Sequence, residues 1–154
     1  MLEDVMPSSL RHAEEALRQE LGPAAMPLVG FAGTVEEAVR EADLAIDCVP
    51  DELESKLEIF SLLDRMAPPK TVFATPTINL SIADLASCTY RPAQCVGLAL
   101  DAAKLSEESP ESIEIPIRIT TRTSVAAQAV VSEFWLRLGY VPKIELDAAE
   151  AMLR

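Results

Sequence analysis

Glycine, histidine and aromatic residues are scarce in this sequence of 154 residues, which has five glycines, one histidine and 5% aromatic side chains. With so few rings, the core has to be built from leucine, isoleucine, valine and alanine, and 49% apolar residues suffice for one packed domain. No apolar run approaches the roughly 20 residues of a membrane-spanning helix, so no membrane partner is expected. The 13 basic residues form no cluster among 25 acidic ones, and the net charge of -12 argues against a nucleic-acid partner.

Cysteine is also infrequent. Cys48, Cys88 and Cys95 are an odd number without the Cys-x-x-Cys spacing of redox or zinc sites. Cys48 and Cys95 fall inside apolar runs, which predicts small core side chains in a reducing compartment. The first residues, M-L-E-D, are acidic where a secretory signal peptide would be basic and then apolar. We therefore expect a cytoplasmic protein without a metal site.

Short apolar runs alternate with helical patterns along the chain. Residues 44–49, 71–75 and 95–100 are compact apolar runs that predict buried strands. Between the first two runs, apolar residues recur at helical spacing from Leu53 to Leu63. Strands that alternate with helices predict an α/β sandwich of three layers with a mostly parallel sheet, formed by the whole chain as a single domain.

The segments outside these runs continue the pattern. Isoleucines alternate with other residues from Ile113 to Ile119, which is typical of a strand with one buried face. A helix is expected over residues 124–138, with Phe134 and Leu138 inward and Gly139 as its C-cap. Further predictions are a helix over residues 8–21 that stops at Gly22 and Pro23, a capping box of Thr34 and Glu37, an N-cap at Ser81 and a last strand over residues 141–146.

In a parallel sheet, ligands bind beyond the carboxyl ends of the strands. The sequence at these ends resembles three stretches of the 3-hydroxyacyl-CoA dehydrogenase family, in the same order and at the same intervals. V-P-D-E-L-E-S-K-L-E-I-F, residues 49–60, resembles the family's V-P-E-x-x-x-x-K-x-x-x-F. T-P-T-I-N-L-S-I, residues 75–82, lies where the family carries N-T-S-S-L-x-I, and R-P-A-Q-C-V-G-L-A-L, residues 91–100, lies where it carries R-P-x-x-x-x-G-L-H-F.

The resemblance runs from about residue 2 to residue 146 and implies a Rossmann-like NAD-binding domain over residues 1–154. It also implies NAD as cofactor and the oxidation of a 3-hydroxyacyl-CoA in fatty acid metabolism. D-A-A-E-A-M-L-R, residues 147–154, stands where the family carries D-x-P-G-F-x-x-N-R at the entry to its helical substrate domain. That C-terminal helical domain is therefore expected to be absent.

The catalytic residues of the family have changed in this chain. In the family a histidine is the general base, a glutamate orients it, and a serine hydroxyl helps to bind the substrate oxygen. Ile78 lies at the serine position and Ala99 at the histidine position, while Glu114 matches the glutamate across a loop that is three residues longer. Isoleucine has no donor and alanine cannot accept a proton. The only histidine, His12, is predicted on the polar surface of a helix.

The resemblance also implies where a cofactor would bind. The family's G-x-G-x-x-G loop, which brings bare backbone to the pyrophosphate, is not found in the sequence. Gly30 and Gly33 have a similar spacing, but a capping box and a short helix follow them. Asp4 matches the acid that holds the adenosine ribose, so the first βα unit is expected to be missing; either it was deleted, or Met1 is an internal methionine. The cofactor contacts implied by the resemblance are Asp4, Val49, Pro50, Asp51, Lys56, Thr77 and Asn79.

Three hypotheses follow. The first is a non-catalytic binding or assembly module that binds a nucleotide or an acyl-CoA. The second is an NAD-dependent oxidoreductase whose glycine loop comes from upstream or from a partner chain, with Asp47, Asp101 or Glu114 as base. The third concerns assembly: without a first strand, the apolar edge of residues 44–49 is open, and a second copy or the N-terminal helix would cover it. We therefore expect a homo-oligomer.

Overall fold

The computed structural model describes residues 1–100 and 113–148. The chain divides into two compact units, of which the first comprises residues 1–42 with 66–68 and the second residues 43–65 with 69–154. None of the described helices is long and apolar enough to cross a membrane. The predictions of a single domain, of a missing first βα unit and of a missing helical domain stay predictions.

The first unit contains a pair of short parallel strands and two helices. Its elements are β1 (Leu2–Glu3), α1 (Pro7–Ala25), a 3-10 turn (Met26–Leu28), β2 (Phe31–Ala32) and α2 (Val35–Val39). The predicted capping box is confirmed, because Thr34 Oγ1 accepts the Glu37 N–H at 3.2 Å. Glu37 reaches back to the N–H of Gly33. The predicted stop at Gly22 is a kink instead: Gly22 has a φ of +70°, and helical turns continue to Ala25.

The second unit is a five-stranded sheet with helices. Its elements are β3 (Leu44–Ile46), α3 (Leu53–Met66, whose last residue belongs to the first unit), β4 (Val72–Pro76), α4 (Ile82–Ser87), a 3-10 turn (Pro92–Gln94), β5 (Cys95–Leu98), β6 (Glu114–Ile119), α5 (Val125–Arg137) and β7 (Val141–Leu146). The strands lie in the order β3-β4-β5-β6-β7. Every neighbouring pair is parallel except β5 and β6, which are antiparallel. The predicted α/β fold with a mostly parallel sheet is confirmed.

The main hydrophobic core of this unit lies between the sheet and α5. It is a cluster of buried side chains from three strands and the helix: Val72, Ala74, Val96, Leu98, Ile115, Ile117, Ala127, Val131 and Trp135. The isoleucine alternation in β6 explains its orientation, because Ile115 and Ile117 are fully buried on one face. Trp135 takes the inward position expected for Leu138, which is 50% exposed because it lies past the helix end. The C-cap of α5 is Leu138, so the predicted C-cap was one residue late; Gly139, with a φ of +88°, follows it.

The predicted strands were too long at their carboxyl ends. The run over residues 44–49 ends as a strand at Ile46, and the run over residues 95–100 ends at Leu98. The core position expected for Cys48 is therefore wrong, since this residue lies past the strand and is exposed. Cys95 is fully buried as expected, and burial raises the pKa of its thiol to about 12.

Gly97 allows α4 to approach the sheet closely. A Cβ at this position would lie 2.8 Å from Ile82 Cγ1 and closer still to Ile82 Cδ1. Ile82 is fully buried at the start of α4, so it has little room to move. The missing side chain at residue 97 therefore fixes how near the β4–α4 turn lies to β5.

Gly97→Ala should lower the free energy of unfolding by about 1–3 kcal/mol, because the added methyl group overpacks Ile82. Urea titration followed by the fluorescence of the single tryptophan, Trp135, measures this change. Ile82→Val in the same chain should recover part of the loss, since it removes the Cδ1 atom nearest the clash. Gly33→Ala, where nothing lies within 4 Å of the added methyl group, is the control. Equal losses for Gly97→Ala and Gly33→Ala would refute the packing argument.

Candidate functional site

The turns that follow β3, β4 and β5 lie at one edge of the second unit, because these strands are parallel. Two hydrogen bonds join the turns directly. Ile78 N donates to Asp51 Oδ2 at 3.1 Å, and Thr77 N donates to Leu98 O at 3.0 Å. Thr77 Oγ1 in turn accepts the N–H of Leu80 at 3.1 Å. The structure thus brings together Asp51, Thr77 and Ile78, which the sequence placed at the site.

The peptide groups on both sides of Ile78 are held by charged side chains. Asp51 accepts its N–H, and Arg118 Nη2 donates to its carbonyl oxygen at 2.7 Å. The Ile78 side chain itself is 57% exposed. An apolar group therefore projects into solvent from a backbone that is fixed on both sides.

Arg118 was missed by the sequence analysis, although it left a signal. It is the one charged residue inside the alternating run from Ile115 to Ile119. It lies in register with Gly97 on β5 and on the face of β6 opposite the buried isoleucines. A long basic side chain on that face can reach the carboxyl end of the neighbouring strands.

Asp147 was missed as well. Its side chain is buried, and its Oδ2 atom accepts the N–H of Ile82 at 2.8 Å and the hydroxyl of Ser81 at 3.4 Å. Ser81 is the predicted N-cap and accepts the N–H of Asp84. The carboxylate thus satisfies donors of the first turn of α4 that would otherwise be buried without partners.

A buried ion pair lies just after β3. Lys56 Nζ on α3 is 2.6 Å from Asp47 Oδ1, and their side chains are 1% and 2% exposed. Two nearby polar atoms, Asp47 Oδ2 and Thr75 Oγ1, are buried without a hydrogen-bond partner in the part of the chain that the structure describes. Lys56, an expected cofactor contact, therefore points into the interior, because the buried carboxylate requires a positive partner. Asp47, a candidate base, is the other half of this pair.

Neither Ile78 nor Ala99 has a side chain that could take a proton, and Glu114 lies away from Ala99. Ala99 N donates to Pro116 O at 3.0 Å, so the residue opposite Ala99 on β6 is Pro116 rather than Glu114. Glu114 begins β6, is exposed, and its Oε2 lies 3.6 Å from Lys143 Nζ. Asp101, the remaining candidate base, lies outside the described residues.

The other predicted residues are distributed between the two units. In the first unit Asp4 Oδ1 accepts the N–H of Met6 at 2.7 Å, just before α1 begins. His12 is exposed, as predicted, with Nδ1 2.9 Å from Ser8 O. In the second unit, Val49, Pro50 and Asn79 lie at the strand ends. Val49 and Pro50 are apolar, and the Asn79 side chain has no hydrogen bond within the described residues. Gly30 and Gly33 flank β2. The helix that follows them, α2, is only five residues long.

Across residues 1–100 and 113–148, no group of three or more His, Cys, Asp or Glu side chains is placed to hold an ion.

The second unit has a Rossmann-like α/β fold with a mostly parallel sheet, and solved structures agree with this class. The 3-hydroxybutyryl-CoA dehydrogenase of Escherichia coli K12 matches 99% of this chain and 34% of its own chain, with a TM-score of 0.80 at 19% identity. This likeness concerns the fold alone.

The sequence comparisons identify the family. The family profile described as 3-hydroxyacyl-CoA dehydrogenase, NAD binding domain, matches residues 4–99, and the chain belongs to this family. It is 34% identical over 89 residues to the probable 3-hydroxybutyryl-CoA dehydrogenase of Bacillus subtilis, covering 57% of this chain and 31% of the relative. It is 27% identical over 110 residues to the mitochondrial hydroxyacyl-coenzyme A dehydrogenase of Sus scrofa, covering 62% of this chain and 35% of that relative. The chain spans about a third of the length of these relatives.

Lys56→Met should lower the free energy of unfolding by about 3–5 kcal/mol, because it leaves the Asp47 carboxylate buried without a counter-charge. The double variant Asp47→Asn with Lys56→Met should be less destabilised than the single variant, since no buried charge remains. Urea titrations of both measure the difference. The exposed pair of Arg137 and Glu133 provides a matched control, and Arg137→Met should cost only about 0.3–0.5 kcal/mol. A loss for Lys56→Met as small as that of the control would contradict the buried pair.

Proposed function

We propose that this chain is a non-catalytic member of its family that acts as a binding or assembly module. The observation that carries the proposal is the character of three positions at the strand ends. Ile78 and Ala99 replace the serine and histidine, and Pro116 is the residue opposite Ala99. A general base has to lie within hydrogen-bond reach of the proton it takes, and none of these side chains accepts one.

The acids near this edge are already engaged. Asp51 accepts the N–H of Ile78, Asp47 is paired with Lys56, and Glu114 is close to Lys143. One oxygen of each of these carboxylates is thus committed to a contact within the fold. This supports a loss of catalysis rather than the transfer of the base function to a neighbouring acid.

The residues present fit only part of a dinucleotide. Asp51, Thr77 and Asn79 are polar side chains at the strand ends, beside the apolar Val49 and Pro50, and could contact a nucleotide or an acyl-CoA there. The sequence contains no G-x-G-x-x-G loop for the pyrophosphate. The family profile supports NAD binding at the level of the family. Because the glycine loop is not found, we assign no hydride-transfer step to this chain.

Two of the expected cofactor contacts are occupied. Asp4, the expected ribose contact, accepts the N–H of Met6, and the ammonium group of Lys56 is buried beside Asp47. Binding of NAD through Lys56 would need the ion pair to open, whereas Asp4 uses only its Oδ1 atom in the bond to Met6.

The second candidate function is an oxidoreductase that acts on a 3-hydroxyacyl-CoA or a related 3-hydroxy acid. It is favoured by the retained turn geometry, because Asp51, Thr77 and Arg118 hold the β4–α4 turn in a defined position. It would need a glycine loop from an upstream segment or a partner chain, and a base other than histidine. Loss of general-base help typically slows a reaction by about 10²–10⁴-fold, so such an enzyme would be slow.

The cellular setting that we propose is the cytoplasm. Cys48, Cys88 and Cys95 are all free thiols in the structure, which suits a reducing compartment.

The purified chain mixed with acetoacetyl-CoA and NADH should show no turnover above the uncatalysed rate, followed by NADH absorbance. A relative with the full catalytic set serves as the positive control. Turnover at an ordinary dehydrogenase rate, about 1–1000 per second, would overturn the non-catalytic proposal.

Calorimetric titration with NAD should show binding weaker than about 100 µM, because the interactions that a phosphate loop supplies are not found in the sequence. AMP and free coenzyme A should be titrated in the same way. AMP tests binding of the adenosine ribose, and coenzyme A tests binding of an acyl-CoA. Low-micromolar affinity for NAD would contradict the incomplete fit described above.

A further inference from the structure

The side chain of Arg118 crosses the sheet from β6 to the turn after β4. Its Cβ atom lies beside Gly97 on β5, where an added Cβ would be 3.4 Å away, and its Nη2 atom reaches the carbonyl oxygen of Ile78 at 2.7 Å. Because Gly97 has no side chain, the aliphatic stem of Arg118 can lie across β5. The guanidinium group is thus carried to the carboxyl ends of β4 and β5, where ligands bind in a parallel sheet.

Most donors of this guanidinium group have no partner in the part of the chain that the structure describes. An arginine has five N–H donors in a planar fork, and Arg118 makes one described bond, from Nη2 to Ile78 O. No carboxylate of the described residues forms an ion pair with Arg118, since its register neighbour on β7, Glu145, lies 3.6 Å from Lys143 instead. Arg118 is half-buried. Its positive charge is therefore partly removed from water without a described counter-charge.

A second half-buried arginine of the same unit has both a carbonyl and a carboxylate partner. Arg91 Nε donates to Asp64 Oδ1 at 2.9 Å, and Arg91 Nη2 donates to the carbonyl oxygen of Asp64 at 2.7 Å. Arg118 makes only the second kind of contact, at the same distance, with the carbonyl oxygen of Ile78. The comparison indicates a carboxylate as the group that its other donors fit, because the arginine fork matches the two oxygens of a carboxylate.

The surroundings of the guanidinium group are apolar. Pro116 is two residues from Arg118 on β6, so the two share a face of the sheet, and Ala99 lies opposite Pro116. Both Pro116 and Ala99 are half-buried. Ile78, to which Arg118 is bonded, has an apolar side chain that is 57% exposed. A charged group beside a small apolar surface fits a ligand that combines the two characters.

A carboxylate fits this surface better than a phosphate. A phosphate group carries up to about two negative charges and is commonly held by several cations or by helix N–H groups. The first-turn N–H groups of α4 are bonded to Asp147 and Ser81. Lys143, the other basic residue on this face of β6 and β7, lies 3.6 Å from each of two glutamates. Among the described residues this leaves the one guanidinium group of Arg118, which matches the single charge of a carboxylate.

We propose that Arg118 anchors a binding site for a small carboxylic acid with a short apolar chain. The guanidinium group binds the carboxylate, and the chain lies against Ala99, Pro116 and the exposed side chain of Ile78. The proposal rests on the binding role proposed above and deepens it, because it names the chemical class of the ligand and the residue that selects it.

The probe is sodium hexanoate, added to the isotope-labelled chain at about 0.15 M salt, where charges further apart than about 8 Å are screened. The Nε–H signal of Arg118 and the amide signals of Ile78 and Ala99, followed by NMR, should shift together and saturate with a Kd of about 1 mM. The Nε–H signal of Arg122 should not shift, because Arg122 is exposed in the turn after β6, by the amino end of β5. Hexanamide, which has the same chain without the charge, should shift none of these signals. Equal shifts with hexanamide, or no shift at Arg118 with hexanoate, would overturn the proposal.

Two variants test the assignment of Arg118. Arg118→Gln removes the charge and should weaken hexanoate binding by about tenfold or more. The matched control Arg122→Gln should leave the binding unchanged, and equal effects of the two would overturn the assignment. If Arg118→Gln does not fold, the two Nε–H signals of the unaltered chain still decide between Arg118 and Arg122.

Two further measurements separate the carboxylate site from its alternatives. Inorganic phosphate should bind more weakly than hexanoate, and tighter binding of phosphate would overturn the choice of a carboxylate. Turnover of acetoacetyl-CoA together with hexanoate binding would overturn the non-catalytic proposal alone. A chain that shows neither turnover nor hexanoate binding would overturn the carboxylate site alone.

Discussion

The ion pair of Lys56 and Asp47 is the interaction on which the geometry of the strand ends depends. It joins α3 to the residue after β3, with both charges removed from water. Such a pair tolerates little displacement, because separating the charges in the interior costs more than separating them at the surface. The chain reverses direction between Asp47 and the start of α3, so the pair fixes where the turn containing Asp51 can lie.

From that turn, a series of hydrogen bonds extends across the sheet edge. Asp51 holds the N–H of Ile78, Arg118 holds the carbonyl, and Asp147 holds the start of α4. Three charged residues from different strands or turns thus position the segment between β4 and α4. The family relationship explains why such a scaffold exists, and Ala99 lies in it at the position where the resemblance implies a histidine.

The parts of the fold that the sequence predicted are those set by local pattern. Apolar runs located β3, β4 and β5, isoleucine alternation located β6, and Thr34 and Ser81 were recognised as caps from their own neighbourhoods. The strand ends were misplaced because an apolar residue just past a strand looks like one inside it. Cys48 is the example. The strand ends where the Asp47 side chain turns inward to bind Lys56, which lies nine positions further along the chain.

The site was harder to predict because its contacts are far apart in sequence. The bonds from Arg118 to Ile78 and from Ile82 to Asp147 span 40 and 65 residues, so they depend on the strand order and register. The resemblance implied that Lys56 contacts a cofactor, but it gave no indication that Lys56 is buried in an ion pair with Asp47.

The two hydrogen bonds to the Ile78 backbone have a consequence for substitution at this position. Since the backbone there is held through its N–H and carbonyl by Asp51 and Arg118, its conformation does not depend on which side chain the residue carries. Ile78 can therefore be exchanged for serine, the residue that the resemblance implies at this position, without loss of either hydrogen bond. The turn is thus prepared for a hydroxyl group at residue 78, although the side chain present there has none.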